Sequence, residues 1–273
     1  MVLADRIGVF VDDIFYAPVA FNGMTLLWGV ISYSLQIYFD FSGYSDMAIG
    51  VSKIFGFDFP ANFNYPYLSK NVTEFWKRWH ISLSSWLQEY LYYSLGGNKK
   101  GKIRTYFNLF LTMLLGGLWH GAAWTFVVWG AMHGFALITH KLFMQWKEIK
   151  LGDKKATNFA WSIISIVSTY FFVAFSWIFF RATSFNNAAE VINGIAKMQT
   201  GIFQPYTWSM FGLILLVIVS FAHNKISQNN NNYCGIPIQN LTTIKGQTIF
   251  FVLCGLTIIL AYVGNTAFIY GNF

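Results

Sequence analysis

Charge is what this chain lacks most. Of its 273 residues, 11% are Asp, Glu, Lys or Arg, where an ordinary soluble domain carries roughly a quarter. So few charges cannot cover the surface of a water-soluble protein of this length, which excludes a soluble enzyme and a disordered chain alike. Cysteine is scarcer: Cys234 and Cys254 are the whole complement, too few for a secreted disulfide scaffold. No Arg-rich helix, zinc-finger spacing or RNA-binding aromatic motif accompanies the excess of 18 basic over 11 acidic residues, so nucleic acid is excluded as a partner. The opening residues form no signal peptide, because Asp5, Arg6, Asp12 and Asp13 interrupt any apolar core. Walker loops, Gly-x-Ser-x-Gly elbows, His-x-x-x-His pairs and Cys-x-x-Cys pairs are all missing, and with them the usual signs of a phosphate, zinc or thiol site.

What is present is apolar and aromatic. The hydrophobic set makes up 55% and aromatic residues 20% of the chain, the composition of an all-α, polytopic transmembrane helical bundle read as one integral-membrane domain over residues 1–273. Five stretches contain no Asp, Glu, Lys or Arg: Ile14 to Phe39, Thr105 to His140, Ala156 to Phe180, Met198 to Asn224 and Gly246 to Phe273. About 20 apolar residues cross a bilayer as helix, so each holds at least one crossing. Thr105 to His140, at 36 residues, has room for two, with Gly116, Gly117, His120 and Gly121 near its middle. Glycine pairs permit a break or close packing, and a helical hairpin bending near His120 is predicted. None of the later four stretches holds a carboxylate, which argues against an ordinary carboxylate-driven ion pump.

Basic loops give the sidedness, since Lys and Arg accumulate on the cytoplasmic side. The loops Asn98–Arg104 and Lys141–Lys155 are both positive and flank an even number of crossings. The next stretch exits to a loop from Arg181 to Lys197, a short amphipathic helix is expected over Asn186 to Gln199, and the chain returns to Lys225 and Lys245 before its last crossing. Parity closes with the amino-terminal segment outside. The tract around Asn229–Asn232 reads as a low-complexity loop tip.

Asp40 to Leu95 is too polar for a plain crossing and too aromatic for a loop. Phe75, Trp79, Leu83, Trp86, Leu87, Tyr90 and Leu91 recur at helical spacing, opposite Lys77, His80, Ser84 and Gln88. This predicts an amphipathic interfacial or re-entrant helix, with Asn71 or Thr73 as N-cap and Glu74 near its positive end. Asp40 and Asp46 either orient a catalytic group or pair with Lys53. Lys99, Lys100, Lys102 and Arg104 either anchor the positive side or meet an incoming polyanion.

Five histidines carry the candidate chemistry. His140 and His223 fall at span ends beside lysines and read as boundary residues. His133 is either an interhelical hydrogen bonder or functional. His120, in Gly116-Gly117-Leu118-Trp119-His120-Gly121, has small neighbours that allow a substrate to approach. A neutral imidazole there can take a proton from a hydroxyl and return it to a leaving group.

Several blocks in order now point one way: Phe39-Asp40-Phe41-Ser42-Gly43-Tyr44-Ser45-Asp46-Met47-Ala48-Ile49-Gly50, Asn62-Phe63-Asn64-Tyr65-Pro66-Tyr67, Glu74-Phe75-Trp76-Lys77-Arg78-Trp79-His80-Ile81-Ser82-Leu83, and Gly117-Leu118-Trp119-His120-Gly121. With Leu95-Gly96-Gly97-Asn98 and the closing Phe268-Ile269-Tyr270, they resemble the membrane-bound O-acyltransferases, in particular their bacterial alginate O-acetyltransferase branch. Members of that branch carry further helices ahead of a segment similar to Val2–Arg6, so the resemblance implies that this chain matches the carboxy-terminal part of the family fold. It implies a transmembrane acyl relay in the bacterial inner membrane. Acetyl-CoA would be the cytoplasmic donor and a substrate rather than a bound cofactor. A periplasmic acetyltransferase partner would hand the acetyl group on to an exopolysaccharide. By the same resemblance His120 and His80 match the family's two catalytic-site histidines, and Asp40, Asn64, Lys77, Arg78, Ser84, Gln88 and Trp119 are expected along the substrate path. Two other readings stay open: a proton-coupled transporter using His120 and His133, and an inactive membrane scaffold.

Overall fold

The structure, a computed structural model, describes residues 2–151, 158–204, 206–227 and 244–260. Among these residues the architecture is entirely helical, with one isolated bridge between Phe21 and Ile202. The Asn229–Asn232 tract, Cys234 and the Phe268–Tyr270 motif lie outside the described residues.

The first apolar stretch is not one span. Helix α1, Ala4–Tyr16, buries Ile7, Phe10, Val11 and Ile14 along one face and stops before Pro18, whose ring disfavours helical geometry at the preceding residue. Helix α2 begins afresh at Gly23, capped by the Asn22 side chain accepting from the Thr25 N–H at 2.9 Å. It runs 32 residues to Ile54, carrying the whole Phe39–Gly50 block inside it. The expected crossing therefore starts nine residues later than Ile14 and continues well past Phe39. At 1.5 Å per residue α2 is about 48 Å long, so its carboxy-terminal third extends beyond what a bilayer core of about 30 Å needs.

The expected amphipathic helix is broken as well. It consists of α3, Val72–Trp76, then α4, Ile81–Trp86, which passes directly into a π-helical turn, Leu87–Tyr92. Asn71 does cap α3, accepting from the Glu74 N–H at 2.8 Å. The break falls at Trp79-His80, where His80 adopts left-handed geometry at φ 44°.

The hairpin forms as its glycines require. Helix α5, Lys102–His120, turns through Gly121–Ala123 into α6, Trp124–Leu151. A β-carbon placed on Gly117 would lie 2.3 Å from the Phe126 carbonyl oxygen and 3.0 Å from the Gly130 Cα; one on Gly130 would lie 2.4 Å from the Met113 carbonyl oxygen. The two backbones touch where both helices lack side chains, the close approach that small residues allow. Asn108, fully buried, clips the preceding loop to α5 by donating to the carbonyls of Leu95 and Gly97.

The remaining helices are α7, Phe159–Arg181; α8, Phe185–Ala196, capped by Ser184; α9, Thr207–Ser227; and α10, Ile244–Leu260. The short α8 matches the amphipathic helix expected after the third stretch. Helix α2 packs on α1, α7, α8 and α9, while α7 links it to the α5–α6 hairpin. Hydroxyl pairs tie α2 to its neighbours: Ser32 to Ser209 at 2.6 Å and Ser34 to Tyr170 at 2.8 Å. By length and composition two helices among the described residues could cross a membrane, Trp124–Ile149 within α6 and Phe159–Arg181.

Candidate active site

His120 closes α5 at the hairpin bend. It is 4% exposed and lies edge-to-face with three rings: Trp119 at 5.0 Å, Trp129 at 5.3 Å and Phe180 at 5.1 Å between centroids. Gly121 completes the corner, because a β-carbon there would meet the Phe126 ring at 2.6 Å. Helix α6 thus contributes Trp129 and α7 contributes Phe180, whose i−3 neighbour Trp177 stacks on Trp129 at 5.6 Å. Trp177 also touches Trp79 at 5.2 Å, which carries the aromatic wall from His120 to the residue beside His80.

His80 is held by backbone rather than by a helix. The strand-like run Asn62–Asn64 accepts from and donates to residues on both sides of it: Ile81 N–H donates to the Asn62 carbonyl at 3.0 Å, and Asn64 N–H donates to the Arg78 carbonyl at 2.9 Å. The Asn62 carboxamide oxygen then accepts from Ser82, backbone and hydroxyl, at 3.1 and 3.0 Å. These bonds pin the left-handed His80, a geometry that costs a side-chain-bearing residue of order 1–3 kcal/mol and that clusters at functional sites. From α2, Phe41 packs edge-on against the imidazole at 4.6 Å. Burial pushes the His80 pKa down to about 4. His80 and His120 are electrostatic neighbours, so the fold brings the two histidines of separate sequence blocks to one enclosure.

Next to it lies a cavity of about 240 Å³. Lys77, Ser84 and Gln88 line it, with Trp76, Thr112 and Met113 among the other walls. Three of the expected path residues are thus gathered in one place. Gln88 donates to the Tyr93 hydroxyl at 2.9 Å across the π-helical turn. The other four lie elsewhere. Arg78 pairs with Glu74 at 2.6 Å and reaches the Asn64 carbonyl, so Arg78 and the exposed Asn64 brace the loop under His80. Asp40 is half-buried on α2 beside Phe41. Trp119, 60% exposed, offers the edge of its ring to His120 from the protein surface.

His133 has a different task. The Trp76 indole N–H donates to its Nδ1 at 3.2 Å, and its Nε2 lies 3.0 Å from the Ser176 hydroxyl. Ser176 donates to the Val173 carbonyl at 2.7 Å. Since an indole can only donate, Nδ1 is the acceptor and the proton sits on Nε2. Every group is satisfied by a neutral imidazole that clips α3, α6 and α7 together. His140 bonds to Thr73 at 2.8 Å, a second tie between α6 and the α3 segment.

Phe41, Asn62, Trp129, Trp177 and Phe180 are site residues that sequence reasoning passed over. The signal was faint but present: Trp129 precedes His133 by one helical turn, and Trp177 precedes Phe180 by three residues. Among the described residues neither the Trp129 nor the Trp177 indole N–H meets an acceptor, although both atoms are buried. Unclaimed donors of this kind are rare enough in native interiors to mark a functional site.

Two buried imidazoles in one aromatic enclosure, reached from a re-entrant segment and a helical hairpin, define a membrane-embedded acyl-transfer type of site. The chain belongs to the membrane-bound O-acyltransferase family, whose profile matches residues 3–184. It is 39% identical over 251 residues to the Pseudomonas fluorescens protein named "Probable alginate O-acetylase AlgI", covering 92% of this chain and 44% of that one. It is 40% identical over 199 residues to the peptidoglycan O-acetyltransferase of Helicobacter pylori, covering 73% and 37%. With the teichoic acid D-alanyltransferase of Bacillus subtilis it shares 36% identity over 165 residues, 57% of this chain and 40% of the relative. The chain therefore spans less than half the length of these relatives.

Proposed function

We propose that the chain carries the acyl-transfer core of a membrane-bound O-acetyltransferase that moves acetyl groups from cytoplasmic acetyl-CoA toward hydroxyls of an extracytoplasmic polysaccharide, through a periplasmic partner. The observation that carries this reading is the convergence of His80 and His120 in one buried aromatic enclosure. The three relatives all bear names of transferases that modify a cell-surface polymer. The chain sits in the inner membrane as a single multi-pass domain. The basic loops Asn98–Arg104 and Lys141–Lys147 face the cytoplasm, and the α5–α6 bend with His120 faces outward.

The transfer step follows from the chemistry of a neutral imidazole. The acceptor O–H gives its proton to His120 as its oxygen attacks the thioester carbonyl carbon. The tetrahedral intermediate collapses with cleavage of the C–S bond, and the His120 imidazolium returns the proton to the departing thiolate. The products are an O-acetyl ester and free coenzyme thiol. Buried indole N–H groups of Trp129 and Trp177 supply donors for the carbonyl oxygen as it gains charge, where preorganised donors in a dry site are most effective. Lys77, Ser84 and Gln88 hold the donor in the neighbouring cavity, with the lysine facing its anionic end. His80 lines the cytoplasmic approach.

The proton-relay reading weakens on a specific observation: His133 has both nitrogens committed to a structural clip. The deciding experiment is transfer of label from acetyl-CoA in membranes carrying the chain, against His120→Ala at matched expression. General base catalysis contributes roughly 10²–10⁴-fold, so label transfer should fall by at least a hundredfold in the variant. Equal labelling in both would remove His120 from the chemistry; absence of labelling in the native chain would favour the scaffold.

A further inference from the structure

The largest open groove in the molecule, about 750 Å³, runs between α6 and α7 on the side away from the histidine enclosure. Two helix faces build it. On α6 the stripe is Met132, Phe135, Ala136, Thr139, His140 and Phe143. On α7 it is Trp161, Ile164, Ser165, Ser168, Thr169 and Phe172. Both stripes follow the same i, i+3, i+4, i+7, i+8, i+11 pattern, so each is one face of its helix. Eleven residues at 1.5 Å each make the groove about 16 Å deep, half of a hydrocarbon core of about 30 Å.

The polarity of the groove runs along its length. Thr139 and Thr169 turn their hydroxyls back to the carbonyls of Phe135 and Ser165, which leaves methyl groups for a ligand. At the end where α6 approaches its basic terminus the lining changes to Lys70 and Asn71. These two residues are placed there by Thr73, which hydrogen-bonds His140. The carboxylate closest in sequence, Glu74, is already engaged by Arg78 and by the Lys70 backbone N–H. The Lys70 side chain is exposed, and Trp161 lies on the α7 stripe at the same end, where aromatic rings favour the membrane interface.

We infer that this groove binds one anionic phospholipid of the inner leaflet, an acyl chain lying between α6 and α7 and its phosphate at Lys70. Charge complementarity at one end, apolar walls beyond it and a depth of one leaflet together select this occupant. The inference rests on the sidedness proposed above, and its readout is independent of acyl transfer. Through the Thr73–His140 bond, an occupied groove would brace the α3 segment that leads to His80.

Native mass spectrometry of the full chain, released from nanodiscs of equal phosphatidylglycerol and phosphatidylcholine, tests it. One phosphatidylglycerol should be retained preferentially. Lys70→Gln should lower the preference for phosphatidylglycerol over phosphatidylcholine by about fivefold, the worth of one lysine at a membrane surface. Ala136→Trp, which fills the groove at mid-depth, should abolish retention of either lipid. An unchanged lipid ratio in Lys70→Gln overturns the assignment, as does retention by a folded Ala136→Trp variant. Absence of any retained lipid on the native chain overturns it too, and leaves the groove to a protein helix. Loss of acetyl transfer in His120→Ala bears on the proposed function alone.

Discussion

At the scale of single residues, three buried histidines occupy three different chemical situations. His133 is a clip, and its replacement is expected to act on stability. His133→Phe keeps the ring volume but leaves the Trp76 indole N–H without an acceptor, a loss of about 1–3 kcal/mol. A lower thermal midpoint in detergent, with transfer per folded molecule retained, is the expected outcome; a loss of transfer at unchanged midpoint would return His133 to the chemistry. His80 is a strained, buried imidazole whose pKa is lowered from 6.5 to about 4. The unfolded chain takes up this proton below pH 6.5 while the folded chain resists until about pH 4. The stability that depends on a neutral His80 is therefore complete above pH 6.5 and drains away as pH falls toward 4. Melting curves across that window should drop less steeply for His80→Asn, a substitution that tolerates left-handed geometry, than for the native chain. Equal slopes would mean that His80 does not couple to folding.

Elements were legible in the sequence to the degree that their causes are local. The α5–α6 hairpin could be foreseen because Gly116, Gly117, His120 and Gly121 stand together in an uncharged stretch, and the structure makes Gly117 and Gly130 touch. Gly117→Ala should accordingly be severe, since its β-carbon has backbone on every side. Gly43→Ala, within the Phe39–Gly50 block, finds nothing within 4 Å and should gain helix propensity of up to about 1 kcal/mol. Thermal midpoints and yields of the two variants, measured side by side, check both expectations. The break at His80 was not legible, because the groups that enforce it belong to Asn62 and Asn64, sixteen or more residues away. The split between α1 and α2 was marked by Pro18 and by Asn22 as a cap, but an unbroken absence of charge from Ile14 to Phe39 spoke more loudly. Helical spacing of Lys77, Ser84 and Gln88 gave half of the cavity; the half from α5 is a product of tertiary packing that no local pattern encodes.

For the whole molecule, the prediction concerns sidedness. With Cys234 and Cys254 replaced by serine, a cysteine at Lys100 should react with an impermeant maleimide only after the membrane is opened. One at the exposed Thr183, between α7 and α8, should react in intact cells. Opposite or equal accessibility would break the parity on which the orientation rests. The same arrangement explains how one enclosure can serve two compartments. The donor cavity opens beside the re-entrant segment, while His120 lies at the far corner of the hairpin, and Trp79, Trp177 and Trp129 fill the interval as a continuous wall.

The π-helical turn at Leu87–Tyr92 holds one residue more per turn than an α-helix needs, and such a turn is what a single inserted codon leaves behind. Excision of the exposed Glu89 would restore an ordinary helix without a gap in its hydrogen bonds. It would also rotate everything that follows by about 100°, since an α-helix completes its circle in 3.6 residues. Leu95 and Gly97 would then swing away from the Asn108 side chain that anchors them. In this segment evolution can rewrite letters far more freely than it can change their number.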